Sequence, residues 1–191
     1  MGMEYTDDQY ELIKASQAGD SKAMASLLEA HAPSVYAFLC HLSNDSVLAE
    51  DLAQETMLRC LQSLKYYKFR APFRAWLFRI AVNLFRDHRR RMTVRKYTRS
   101  GNFEDEQYHP PSTDPGPHLQ AERNERKAVL QQALGELAPN LRMVIIMRDL
   151  QELSYEEIAQ SLKWRMGTVK SRLFRARKEL AEKMRPFWEE P

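Results

Sequence analysis

The residues whose types and spacing could do chemistry fall into three groups. The first lies in KYYKFRAPFRAWLFRIAVNLFRDHRRR, Lys65 to Arg91, where seven of the twenty residues from Tyr66 to Phe85 are aromatic and cations interleave with them. Leu77, Ile80, Ala81 and Leu84 already supply an apolar stripe at helical spacing, which leaves rings and guanidinium groups over. Such a surplus suits unpaired nucleic acid, because each base has a face to stack and each nucleotide a phosphate to neutralise. The candidate contacts are Tyr66, Tyr67, Phe69, Arg70, Phe73 and Trp76, with Arg79, Asn83 and Arg86 on the polar face of the same segment. A buried aromatic cluster under a solvated basic face is the competing reading.

The second group sits near the C-terminus. Thr168 and Ser171 are hydroxyls small enough to reach base edges, Lys170, Arg172, Arg175 and Lys178 are cations that could hold phosphates, and Arg165 stands just ahead of them. The third group is Asp51, Gln54 and Glu55, which share a helix face with Leu48 and Leu58 because residues three and four apart are neighbours. Carboxylates around exposed leucines fit the docking of a basic helix from a protein partner; an ordinary solvated face is the alternative.

The elements that must position these groups are helical, since no alternating apolar run bounded by turn residues signals a strand. A helix is expected from about Asp7 to Gln17, ended by Gly19. A second follows the capping pair Asp20 and Ser21, with Met24, Leu27 and Leu28 inward. A third starts with Pro33 in its first turn and carries Val35, Phe38, Leu39 and Leu42. The fourth, Val47 to about Leu64, turns Ala49, Leu52, Ala53, Thr56, Cys60 and Leu64 to the core. Ala71-Pro72 breaks the pattern, so a loop from Tyr66 to Pro72 precedes a helix from about Phe73 to Arg91.

From Met92 to about His118 the periodicity disappears. GNFEDEQYHPPSTDPGPH has four prolines, four acids and no Lys or Arg, a composition that does not fold by itself. Beyond it come a helix with Leu130, Ala133, Leu134 and Leu137, another from Leu141 to Leu150, and a third, Tyr155 to Leu162, with a Ser154–Glu157 capping box. The last helix starts near Gly167. Ile158, Ala159, Leu162, Val169 and Leu173 at inward positions make this pair a helix-turn-helix. The expected fold is all-α: two small helical domains, 1–95 and 119–191, joined by a flexible acidic Pro-rich linker at 96–118.

The net charge of +3 is segregated. Lys plus Arg against Asp plus Glu count 3 to 10 over residues 1–64, 12 to 1 over 65–99, 0 to 5 over 100–122 and 14 to 10 over 123–191. Blocks of one sign choose partners: the basic blocks point to nucleic acid, the acidic N-terminal block to a protein. There is no apolar run long enough for a membrane span, and the N-terminus is acidic without a signal-like apolar region, so a cytoplasmic chain with no direct membrane insertion is expected. Cys40 and Cys60 read as free thiols, and the scattered histidines lack ligand spacing, so no metal site and no cofactor are expected.

Three stretches together resemble one family, the sigma factors of bacterial RNA polymerase, in the small extracytoplasmic-function group that keeps only sigma regions two and four. AEDLAQETML at Ala49 to Leu58 resembles the helix that docks on the clamp helices of the polymerase beta-prime subunit. FRAWLFRIAVNLFRDHRRR at Phe73 to Arg91 resembles the melting and minus-ten segment. LSYEEIAQSLKWRMGTVKSRLFRARKEL at Leu153 to Leu180 resembles the minus-thirty-five reader. The resemblance covers both domains, and extends to the type found in cobalt and nickel resistance. It implies core RNA polymerase (beta-prime clamp helices and beta flap) and promoter DNA as partners. It also implies an anti-sigma factor, often membrane-anchored, that covers the polymerase-binding surfaces. One departure stands out: members commonly have Leu-Gly-Val-Ser before the recognition helix, where this chain has Leu162-Lys163-Trp164-Arg165.

Two rivals are weaker. A stand-alone helix-turn-helix regulator normally dimerises on two half-sites, and no heptad or extra dimer helix is present. A DNA-processing enzyme needs clustered carboxylates, a nucleophile or metal ligands beside its basic cleft, and the 65–91 block contains one acid, Asp87.

Overall fold

A computed structural model describes the backbone of residues 7–99 and 119–187, and the side chains of 8–94 and 127–187. The order of elements is α1 (Asp7–Gln17), α2 (Ser21–Ser43), α3 (Ser46–Leu64), α4 (Phe73–Arg99), α5 (Leu119–Gly135), α6 (Pro139–Ile145), a π turn (Ile146–Leu150), α7 (Tyr155–Leu162), α8 (Met166–Met184) and a closing 3-10 turn. Among the described residues there is no strand. The GNFEDEQYHPPSTDPGPH segment lies outside the described residues.

Local signals set most boundaries. Asp20 caps α2 by accepting from the Lys22 and Ala23 N–H groups (2.8 and 3.1 Å), after Gly19 at φ +96° has reversed the chain. Asp45 caps α3 through the Leu48 N–H at 3.0 Å. Pro33, however, starts no helix: α2 runs through it as a single helix of 23 residues. A mid-helix proline costs about 3 kcal/mol. The continuous buried face of Leu27, Val35, Phe38, Leu39 and Leu42 outweighs this, each large side chain contributing about 1.5–3 kcal/mol.

The six residues expected on the inner stripe of α3 are all buried. Helix α4 departs from expectation twice. It continues to Arg99, beyond the expected end near Arg91. Its burial is also not one stripe: besides Leu77, Ala81 and Leu84, the residues Ala75, Phe78, Val82 and Phe85 are buried, while Ile80 is only partly so. The reason is that α4 is sandwiched, with α2 and α3 on one side and α7 on the other. The expected helix from Leu141 to Leu150 is likewise divided. Met143 to Met147 are all buried, a run that one stripe of a regular helix cannot turn inward, and the wider π turn follows Ile145.

The two helical units pack on each other around one continuous core. The Ser161 hydroxyl, fully buried, donates to the Ala75 carbonyl of α4 at 2.8 Å. Arg74 donates to the Gln151 carbonyl, His41 pairs with Gln131 at 2.7 Å, and Arg142 of α6 reaches the Leu42 carbonyl at 3.2 Å. Of the two free thiols, Cys60 is buried, which pushes its pKa up to about 12.

Candidate polymerase and nucleic-acid interfaces

On the outer face of the first unit, Asp51 and Gln54 are exposed and Glu55 is partly so, held by an ion pair with Arg59 at 2.7 Å. Beside them runs an apolar groove of about 650 Å³ between α2 and α3, lined by Leu28, Pro33, Tyr36, Met57, Leu58 and Leu61, with Glu50 and Gln54 at its edge. Leu58 is 53% exposed and Tyr36 40%. Leu48, expected to be exposed here, instead packs against the core. Tyr36 is absent from the docking face expected from sequence because it belongs to the neighbouring helix α2, whereas Met57 and Leu61 lie on α3 at three and seven residues from Gln54, a spacing that could have found them.

The loop Lys65–Pro72 and the start of α4 sort the expected base contacts into two sets. Tyr66 is 69% exposed, with the Lys65 ammonium 4.9 Å from its ring centroid, and Arg70 is exposed. Tyr67 and Phe73 are core residues, at 6% and 1% exposure, so they support the loop from beneath and present no ring face to a base. The Tyr67 hydroxyl donates to the Ala71 carbonyl, closing the loop on itself. Phe69 and Trp76 are half-buried against Tyr67, with ring centroids 4.9 and 5.1 Å away.

Along α4, Asn83 is exposed and Arg79 partly so. Arg86 turns toward the second unit, its Nη2 3.9 Å from the Met143 sulfur. Burial, and after it the charge of Arg172, pulls the Arg86 pKa below the usual arginine range. The structure therefore brings a cation of α4 and one of α8 near each other on facing surfaces.

The helix-turn-helix is built as expected at its first helix. Ser154 and Glu157 form the capping box, Glu157 N–H to Ser154 Oγ at 3.1 Å and Ser154 N–H to Glu157 Oε2 at 2.8 Å. The atypical turn is resolved by strain and by a new contact. Lys163 sits at φ +56°, the left-handed conformation that glycine adopts freely and other residues pay about 1 kcal/mol to hold. Arg165 precedes α8 without a side-chain cap. In compensation, the Arg172 guanidinium lies 4.0 Å from the Trp164 ring centroid, a cation–π contact, and Trp164 packs on the core. Lys163→Gly should therefore raise stability by about 1 kcal/mol, read as a thermal midpoint about 2–4 °C higher.

On the open face of α8, Lys170, Ser171, Arg175 and Lys178 are exposed, Thr168 and Arg172 are half-buried, and Arg165 is exposed ahead of the helix. Arg177 is occupied elsewhere, bound to both Asp149 oxygens at 2.6 and 3.0 Å, and these bonds raise its pKa. Phe174, passed over in the sequence, is 73% exposed. Its spacing from Lys170 and Lys178 puts it in the middle of that basic face, where an apolar ring suits a thymine methyl group.

Comparison with known proteins agrees with this division. Residues 27–103 match the Sigma-70 region 2 model and residues 127–180 the Sigma-70 region 4 model. The chain is 38% identical over 168 residues to the ECF RNA polymerase sigma factor SigE of Mycolicibacterium smegmatis, covering 86% of this chain and 63% of that protein's length. It is 34% identical over 142 residues to the RNA polymerase sigma factor YlaC of Bacillus subtilis, covering 74% and 80% of the two. Among solved structures, the sigma factor RpoE bound to the anti-sigma factor NepR from Bartonella quintana superposes with a TM-score of 0.70 at 28% identity, over 86% of this chain and 98% of that one. CnrH, in complex with the cytosolic domain of CnrY, shares the fold with a TM-score of 0.70 at 24% identity, over 92% and 96%. The chain belongs to the sigma-70 family of RNA polymerase sigma factors, in its extracytoplasmic-function group, with regions 2 and 4 as its two helical units.

Proposed function

We propose that this sigma factor docks on core RNA polymerase through Asp51, Gln54 and Glu55 and the adjoining α2–α3 groove. Its loop and α4 then hold unpaired bases of the minus-ten element, while α8 reads the minus-thirty-five element as duplex. The observation that carries the reading is the distribution of the three surfaces over regions 2 and 4: an acid-edged apolar groove, an aromatic loop beside a cationic helix, and a helix-turn-helix with a basic outer face. The chain itself supplies no covalent chemistry and needs no cofactor. Stacking and pocket contacts offset the unpairing of each captured base, a few kcal/mol.

Within the minus-ten set, Tyr66, Arg70, Arg79 and Asn83 make direct contacts, Phe69 and Trp76 form the rim, and Tyr67 and Phe73 act through packing. Within the minus-thirty-five set, Thr168, Lys170, Ser171 and Arg175 meet the DNA with Phe174, and Arg165 and Lys178 meet phosphates. Arg172 does so from its seat on Trp164. An anti-sigma factor, anchored in the membrane, covers the groove in the cytoplasm until its release.

Promoter binding also requires the units to part. The minus-ten and minus-thirty-five elements are separated by about 25 base pairs, or about 85 Å of B-DNA. With α4 running to Arg99, the expected 96–118 linker is reduced to 100–118, a length of chain that can span at most about 65 Å, which together with the two units suffices. Gel-shift titration of a promoter duplex distinguishes this reading from a stand-alone regulator. Specific retardation should need core polymerase; tight specific binding by the free protein, unchanged by polymerase, favours the regulator.

A further inference from the structure

Helix α1 contributes Ile13 to the core, yet Tyr10, Lys14 and Gln17, which follow one another at spacings of four and three, are turned toward the loop Lys65–Pro72. The Gln17 side-chain amide donates to two carbonyls there, Leu64 at 3.0 Å and Tyr67 at 2.8 Å. Leu64 is the last residue of α3, its carbonyl also accepting from the Tyr67 N–H at 3.0 Å, and Tyr67 lies within the loop. One amide group thus ties the end of α3 to the loop, between which Tyr66 projects outward.

The far side of the loop is held from the same helix. Phe69 adopts φ +53°, an unfavourable conformation for an aromatic residue. Its ring lies 4.9 Å from Tyr10 by centroid, with the Lys14 ammonium 5.3 Å from the centroid. A strained residue persists only when its surroundings over-determine it, and here α1 supplies part of them.

We propose that Gln17 is a positioning residue for base capture, fixing from α1 the loop geometry that selects an unpaired base. The proposal rests on the minus-ten reading above. Gln17 does not touch the base; it sets where Tyr66 and the rim of Phe69 and Trp76 stand, and a displacement of such groups by an ångström weakens selection steeply.

The test is selection by the holoenzyme, formed with core polymerase, from a single-stranded DNA library randomised across a minus-ten-sized window between fixed arms. Gln17→Met keeps the side chain's size and removes both donors. Enrichment of the preferred base is expected to fall by about tenfold at one position and to stay within about twofold at the others, with core affinity unchanged. A uniform fall at all positions would show a merely structural role and overturn the proposal, as would unchanged enrichment. If the wild-type holoenzyme enriches no base at any position, the capture reading itself fails, a result distinct from both. Tyr10→Leu, on the exposed side of the Phe69 contact, is the second variant should Gln17→Met not fold, and the same single-position loss is expected from it.

Discussion

Replacing both Asp51 and Glu55 with arginine is expected to weaken binding to core RNA polymerase by about a hundredfold or more, near 3 kcal/mol, with the fold intact. The fold should survive because neither carboxylate supports the core. Asp51 is exposed, and the Glu55–Arg59 pair, roughly half exposed on both sides, contributes no more than about 0.5 kcal/mol as an i,i+4 surface pair. The interface should fail because a basic helix seated in the α2–α3 groove would then meet two new cations on the flank of α3, each one residue beyond the edge residues Glu50 and Gln54, and juxtaposed like charges cost several kcal/mol. Fluorescence anisotropy of labelled protein titrated with core polymerase measures the loss. A thermal midpoint within about 2 °C of wild type shows that the loss belongs to the surface. Unchanged affinity would remove this groove as the docking site.

The second large effect concerns the contact between the units. Ser161→Arg should drive them apart, because the serine is 1% exposed and its hydroxyl lies 2.8 Å from the Ala75 carbonyl, leaving no room for a guanidinium, while the carboxylate four residues earlier on α7, Glu157, is engaged by the Ser154 N–H in the capping box. An unpaired buried charge costs about 3–5 kcal/mol, which shifts a closed-to-open equilibrium by more than about a hundredfold. Small-angle scattering reads the outcome. A compact chain of this length has a radius of gyration of about 16 Å, and the variant should exceed the wild type by several ångström while its far-UV circular dichroism is retained. Opening also uncovers Arg86, so the variant's free protein should bind minus-ten single strands more tightly than wild type does. An unchanged radius of gyration would show that the packing tolerates the charge, and the opening account would fall.

The parts legible in the sequence were those in which one helix face meets one environment. Helix α3 packs on its neighbours from a single side, so its buried stripe followed from periodicity alone, and the caps at Asp20 and Ser154 followed from residue type, since side chain and backbone lie within three residues. Periodicity failed where tertiary contacts act on two sides. Helix α4 is covered by both units, so its single expected stripe became burial almost all round, and Arg86, expected on an open polar face, was drawn toward Met143. Pro33 looked like a helix start because its cost is local, whereas the apolar face that overrides it spans the whole of α2.

The aromatic loop divided for a similar reason. Tyr66 and Tyr67 are adjacent and chemically alike, and only the turn at the end of α3 makes one 69% exposed and the other 6%. Gln17 lies 50 positions from Tyr67 in the chain, and no local signal announces its bond. Phe174 could have been found, since its i±4 neighbours are both lysines, but an apolar residue on a helix reads first as core.

The central claim is that this protein confers promoter selection on RNA polymerase, and run-off transcription from a reconstituted mixture tests it most directly. Core polymerase alone should give no discrete transcript from a genomic promoter library. Polymerase with this protein should give transcripts starting at a defined distance from shared upstream sequences, and these should disappear with the Asp51→Arg, Glu55→Arg variant. Transcription that remains non-specific with the wild-type protein present, alongside tight specific duplex binding by the protein alone, would contradict the account.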